Sequence, residues 1–233
     1  MTNDTLPVIT IDGPGGSGKG TVGQRLAWTF GWEFLDSGAL YRLVGLSALN
    51  RGVKLDDVEE IVKLAIHLDA QFAVTEGEKG TEGIILLEDQ DVSSKLRTEA
   101  CASAASQVAQ YDDVRQALLE RQRAFSVLPG LVADGRDMGT VVFPDAQLKV
   151  FLTASAEIRA ERRFKQLKTK GMDASLSAIL ADIQARDYRD THRSVSPLVP
   201  ADDAVVLDTT EMSVDDVERH VLELAKTRFL QLN

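Results

Sequence analysis

A chain of 233 residues with one cysteine, Cys101, can close no internal disulfide and assemble no multi-cysteine zinc cluster. Its three histidines, His67, His192 and His220, show no metal-ligand spacing. A reducing compartment is therefore the expectation, with Cys101 as a small packing residue. Positive charge is also in short supply: 26 Lys+Arg against 36 Asp+Glu leave a formal charge of -10. Such a surface repels nucleic acid and anionic membranes at long range, so neither is an expected partner, and an anionic ligand must be met by a local basic pocket. Long apolar runs are missing as well. The opening segment, MTNDTLPVIT, lacks a basic n-region, and the run 8–11 is far too short for a signal-peptide core or a spanning helix, which makes the cytoplasm the expected location. The six prolines are scattered, and no repeat or low-complexity linker interrupts the chain. What is present, 44% hydrophobic and 27% charged residues, is the make-up of a globular protein with a sizeable core, one domain or one plus an inserted lobe.

Short β-branched or apolar runs recur at 8–11, 32–35, 131–133, 148–152 and 204–207, with helical-period segments between them. That alternation predicts an α/β fold with a five-stranded, mostly parallel sheet buried between helices. Val22, Leu26 and Phe30 recur at one helical face, and Gly31 is the expected C-cap. Asp56 with Glu59 reads as a capping box ahead of one helix, and Ser213 with Asp216 ahead of another. The runs 72–74 and 84–87 read as two strands joined by the turn GEKGTEG, a hairpin inserted between core elements.

The strongest chemical signal is the run Gly13, Pro14, Gly15, Gly16, Ser17, Gly18, Lys19, Gly20, Thr21, directly after the first strand and directly before the first helix. This is the context of a P-loop. Successive backbone N–H groups converge there on phosphate oxygens, the helix N-terminus adds partial positive charge, and the lysine reaches the β- and γ-phosphates. Side chains would block that approach, hence the glycines. One feature departs from the motif: Gly20 follows Lys19, and the hydroxyl arrives one place later on Thr21. Mg²⁺ would then be held mainly by waters and nucleotide phosphates.

A guanine-specific switch would need Asn-Lys-x-Asp and a D-x-x-G after a later strand. Asn3, Asn50 and Asn233 are not followed by lysine, and the single D-x-x-G, at 12–15, lies inside the loop. Basic residues point to phosphoryl transfer instead. Nine Lys/Arg against six Asp/Glu fall in 157–193, so the rest of the chain carries -13. If the helix with Leu176, Ile179, Leu180 and Ile183 runs on, Arg186, Arg189 and Arg193 share a face and can close on polyphosphate; the alternative is a solvated face paired with Asp182, Asp187 and Asp190. Two polar clusters, DSGALYR at 36–42 and DGRD at 134–137, follow the second and third strands, where α/β sheets bind ligands. Asp134 reads as an acid acting on Mg²⁺ or its waters, and Arg42 and Arg136 as a clamp for a second anion. The alternative for Asp36 and Asp134 is a capping role.

The runs ITIDGPGGSGKGT, FLDSGALYR, ASQVAQYDDVR, LVADGRDMGTVVFPDA and ARDYRDTHR, in this order, resemble the bacterial-type cytidylate (CMP) kinase family over nearly the whole chain. The resemblance implies transfer of the γ-phosphoryl group of ATP to CMP or dCMP, giving ADP and CDP or dCDP, with Mg²⁺; a monomer is the expected state because it needs no further assumption. The resemblance also implies a P-loop core at 7–36, 128–153 and 203–230, a monophosphate-binding region with the hairpin insertion at 37–127, and a helical lid at about 155–193. Gly13 to Thr21 would hold ATP, with Lys19, Arg136, Arg186 and Arg193 catalytic. Ser106, Arg115 and Asp137 would read cytosine. Arg186 and Asp190 would face the sugar, and Ser37, Tyr41, Arg42, Arg136 and Arg193 would complete the acceptor site, with Asp134 on the metal through water. Ser106 and Arg115 carry no signal of their own and would otherwise read as surface residues. On the residues alone two other readings stay open: a kinase for another acceptor such as UMP or AMP, and a nucleotide-dependent regulatory ATPase module.

Overall fold

The first strand, β1 (Val8–Asp12), is apolar enough to be buried along its whole length, and it forms the middle of a five-stranded sheet. In the computed structural model, which describes residues 6–77, 80–169 and 171–230, the chain divides into two compact units, one of 6–37 with 122–230 and one of 38–121. Chain order begins β1, α1 (Lys19–Phe30), β2 (Glu33–Asp36) and α2 (Ser37–Arg51), followed by α3 (Val58–Ile66). Three strands come next, β3 (Ala70–Gly77), β4 (Gly80–Leu87) and β5 (Gln90–Asp91), then α4 (Glu99–Val108) and α5 (Asp112–Arg123). The chain ends with β6 (Leu131–Gly135), β7 (Leu148–Thr153), α6 (Ala156–Thr169), α7 (Leu176–His192), β8 (Val205–Asp208) and α8 (Val214–Leu230).

In the first unit the sheet order is β2-β6-β1-β7-β8, all parallel, as the alternating pattern predicted. Ile9, Ile11, Val132, Val150 and Leu152 pack against Val22 and Leu26 of α1 and Val217, Val221 and Ala225 of α8. Burial of each such side chain contributes about 1.5–3 kcal/mol. Gly31 caps α1 with φ 64°, a left-handed conformation that glycine adopts without strain. Ser213 accepts from the Asp216 N–H at the start of α8 and donates to its carboxylate. The register aligns the carboxyl ends of three strands: Asp36 opposite Asp134, Ile11 opposite Asp134, and Asp12 opposite Gly135.

In the second unit β3, β4 and β5 form a separate antiparallel sheet. Its strands run further than the glycine content suggested: pairing continues to Gly77 opposite Gly80, so most of GEKGTEG is strand, and 78–79 lie outside the described residues. Cross-strand hydrogen bonds outweigh the weak β-propensity of glycine there. The cap of α3 is Asp57, not Asp56; it accepts from the Glu60 N–H. Asp57 is the residue immediately before the first helical turn, where a short carboxylate reaches the N3 amide. Arg121 of α5 donates to the carbonyls of Leu68 and Ala70, tying that helix to the start of β3.

Candidate active site

The loop after β1 is shaped by close packing. Gly13 has φ 144°, and a Cβ there would lie 1.9 Å from the Leu152 carbonyl oxygen, so no side chain fits. Gly18, at φ 97°, turns the chain into α1, whose N-terminus has no side-chain cap. Its first amides therefore keep the partial positive charge that draws anions. Ser17 Oγ and Lys19 Nζ both donate to the Pro14 carbonyl, at 3.0 and 2.8 Å. Two further donors brace the loop from behind: Arg159 Nη1 to Gly15 O at 3.1 Å and Thr209 Oγ1 to Ser17 O at 3.3 Å.

Around this cradle the charges gather. Lys19 Nζ stands 3.9 Å from Asp134 Oδ1, with both side chains nearly buried. Burial first, then the Arg136 charge, pushes the Lys19 ammonium down to about 8, against the opposing pull of Asp134, Asp12 and Asp36. Arg136 Nε pairs with Asp190 Oδ2 at 3.0 Å. Burial works to lower the Arg136 pKa, but Asp190, Asp134 and Asp12 together hold it above its ordinary value. Arg136 Nη2 and Arg186 Nη1 lie 3.5 and 3.7 Å from where a Cβ on Gly15 would sit. Two guanidiniums thus stand over the loop. Arg193 caps α7 and donates from Nε to Ser196 O. Ser37 Oγ, at the start of α2, lies 2.7 Å from where a Cβ on Gly135 would be, and Asp137 is buried beside it in sequence after Arg136.

Asp134 Oδ2 lies 3.2 Å from where a Cβ on Gly20 would sit, a tight contact in which a side chain at that position would press on the carboxylate. Thr21 is exposed. The buried Asp134 carboxylate beside this loop fits Mg²⁺, which keeps several waters and takes one or two carboxylates plus phosphate oxygens. Among the described residues no group of three or more His, Cys, Asp or Glu forms an all-protein metal site.

Of the expected residues, Lys19, Asp134, Arg136, Arg186 and Asp190 come together within the first unit, where Ser37, Asp137 and Arg193 also lie. Tyr41, Arg42, Ser106 and Arg115 belong to the second unit. There the Arg115 guanidinium stands over the Tyr41 ring at 5.4 Å and donates to Ala109 O. Ser106 and Arg115 are buried, 8% and 6% exposed, which corrects the surface reading their sequence neighbours suggest. The cause is close helix packing: a Cβ on Gly45 of α2 would sit 3.0 Å from Ala104 of α4, so the Ala/Ser face of α4 lies against α2. Cys101, on the same helix, donates from Sγ to Arg42 O, and burial pushes its thiol pKa up.

Two of the acidic residues on α7, Asp187 and Asp190, pair with arginines from other segments, Asp190 with Arg136. Asp187 takes Arg159 of α6 in a two-pronged pair at 3.0 and 2.5 Å, while Arg159 Nε donates to Ala154 O. Arg162 of the same helix donates to the carbonyls of Thr209 and Met212. Neither arginine stood out in the sequence, because partners 28 or more positions away leave no local spacing. Asp187→Ala would strand the buried Arg159 guanidinium, which keeps only its carbonyl acceptors. Breaking such a pair typically costs about 3 kcal/mol. Thermal denaturation should show Tm lowered by roughly 6–12 °C, and an unchanged Tm would mean that the pair does not hold α7.

No helix among the described residues is long and apolar enough to cross a membrane. A family model for cytidylate kinase matches residues 9–227. A cytidylate kinase of Pseudomonas putida is 60% identical over 215 residues, covering 92% of this chain and 93% of that one. One of Pseudomonas fluorescens is 60% identical over 225 residues, with 96% and 97% covered. One of Shewanella frigidimarina is 55% identical over 224 residues, with 95% and 96% covered. A glycine-rich loop followed by a buried lysine, two arginines standing over it, and likeness sustained over nearly the whole length place this chain in the cytidylate kinase family.

Proposed function

We propose that this protein transfers the γ-phosphoryl group of ATP to CMP or dCMP, releasing ADP and CDP or dCDP. The observation that carries the reading is the convergence of Lys19, Arg136 and Arg186 on the Gly13–Thr21 cradle, in a chain otherwise too acidic to attract polyphosphate. The attacking atom is an oxygen of the acceptor phosphate, largely ionised near neutral pH. A bond forms from that oxygen to the γ-phosphorus as the bond to the β,γ-bridging oxygen breaks, and the electron pair leaves on ADP. No side chain needs to remove a proton, so the reaction requires no histidine. The task left to the protein is alignment and neutralisation of charge on the transferring group.

In this reading the cradle amides hold the donor phosphates and Lys19 faces the group in flight. Arg136, Arg186 and Arg193 neutralise it, and Ser37 and Arg42 hold the acceptor phosphate. Ser106, Arg115 and Asp137 read the base, Tyr41 stacks beneath Arg115, and Asp190 faces the sugar. Mg²⁺, when bound through water to Asp134, supplies charge stabilisation to the donor phosphates. Residues 155–193, carrying α6 and α7, serve as a lid that excludes water, since an open site would hydrolyse ATP. A monomer suffices for all of these roles, in the cytoplasm.

An acceptor panel followed by ADP release tests the proposal. CMP and dCMP should give the highest kcat/KM, with UMP and AMP well below. ATP consumption that does not depend on any monophosphate would overturn it in favour of an ATPase module.

A further inference from the structure

Asp12 is the last residue of β1, immediately before Gly13, and is 5% exposed. One carboxylate oxygen accepts from the Met138 N–H at 2.9 Å and the other from the Gly139 N–H at 2.8 Å. Those amides open a short π turn, Met138–Val142, that follows directly on Arg136 and Asp137. The turn is stiff in itself: the Val141 and Val142 amides donate to Asp137 O, and the Phe143 amide to Met138 O. It also lies flat on the sheet, because a Cβ on Gly139 would come within 2.9 Å of Thr10 Oγ1 and 3.1 Å of Lys149 Cδ.

A carboxylate in such a place is costly unless hydrogen-bonded. Burial first, and then the neighbouring Asp137 charge, raises its pKa to about 7, while the two amides and Lys19 oppose the shift. A neutral isostere would serve only one of the two amides, because the amide nitrogen of asparagine meets the other N–H donor to donor. The anion is what satisfies both.

We infer that Asp12 is a positioning residue for the acceptor side of the reaction, fastening the segment that bears Arg136 and Asp137 to the root of the phosphate cradle. The inference rests on the acceptor roles proposed above for those two residues. The cradle has separate braces, Arg159 on Gly15 and Thr209 on Ser17, so losing the Asp12 contacts should be felt by the acceptor far more than by ATP.

The test compares the full-length wild-type chain with Asp12→Asn and Gly139→Ala, varying ATP and CMP separately and repeating with UMP. For Asp12→Asn, the KM for CMP should rise about tenfold, as expected for a lost charge-assisted contact. The preference for CMP over UMP should narrow, while the KM for ATP stays within about twofold. Gly139→Ala pushes the turn off the carboxylate without altering Asp12, and should reproduce the same one-sided pattern. Equal shifts in both KM values, or a lower Tm with both unchanged, would reduce Asp12 to a structural residue. If Asp12→Asn does not fold, the Gly139→Ala pattern decides; if neither folds, the positioning role is overturned. An active wild type with symmetric variants sinks this inference alone, whereas a wild type that makes no CDP sinks the acceptor reading with it.

Discussion

Lys19→Met should lower kcat about 10²–10³-fold, the usual loss when one preorganised donor to developing charge is removed. Methionine keeps the length of the apolar stem, so the cavity lined by the Pro14 carbonyl stays filled while the ammonium is lost. The fold should survive, because burial already penalises the charged lysine. The sign of that penalty gives a second readout. The ordinary lysine value, 10.5, applies to the unfolded chain and about 8 to the folded one. Between those two values the unfolded chain binds the proton and the folded chain does not, so stability rises with pH in that window. Below about 8 the cost of the buried charge is fully present. Activity runs the other way: kcat/KM for ATP should fall about tenfold per pH unit above about pH 8 as the free enzyme loses its ammonium. The methionine variant should lack both the stability rise and the activity limb. Near-normal turnover in Lys19→Met would remove Lys19 from the chemistry.

Asp190→Ala should be the most damaging change on α7. Its carboxylate is the partner of Arg136 Nε, with side chains 9% and 25% exposed. Removing it leaves a guanidinium in a poorly solvated site, which typically costs about 3–5 kcal/mol. Calorimetry should show the loss as a lower Tm. Turnover with CMP should fall about 10–100-fold as well, the equivalent of 1–3 kcal/mol for a contact left unpaired. A variant with wild-type stability and equal rates on CMP and dCMP in both proteins would show that Asp190 neither neutralises Arg136 nor faces the sugar.

The two residues differ in how they announced themselves. Lys19 sits in a glycine-rich run between a strand and a helix, and that strand-to-helix turn marks its place in the sequence, although the contact that demands Gly13, the Leu152 carbonyl, comes from far along the chain. Asp190 and Arg136 are 54 positions apart. Each lies in a cluster that the sequence marks as basic or polar, but their pairing follows from the packing of α7 near β6, which no spacing records. Resemblance to a known family supplied Ser106 and Arg115 as candidates, yet their local context pointed outward. Asp12 was visible only as part of a D-x-x-G string that excluded a guanine switch.

Local order in the sequence determined the five parallel strands, the helix behind Gly18, the phosphate cradle and the acidic excess that confines anion binding to one basic region. These depend on periodicity, backbone freedom and charge, all properties of near neighbours in the chain. Tertiary structure alone decided that Arg159 grips Asp187, that Asp134 fills the space beside Gly20, and that Asp12 anchors the turn after Asp137. Buried charges are tolerated only where distant segments bring them partners, and burial itself exists only once those segments have packed.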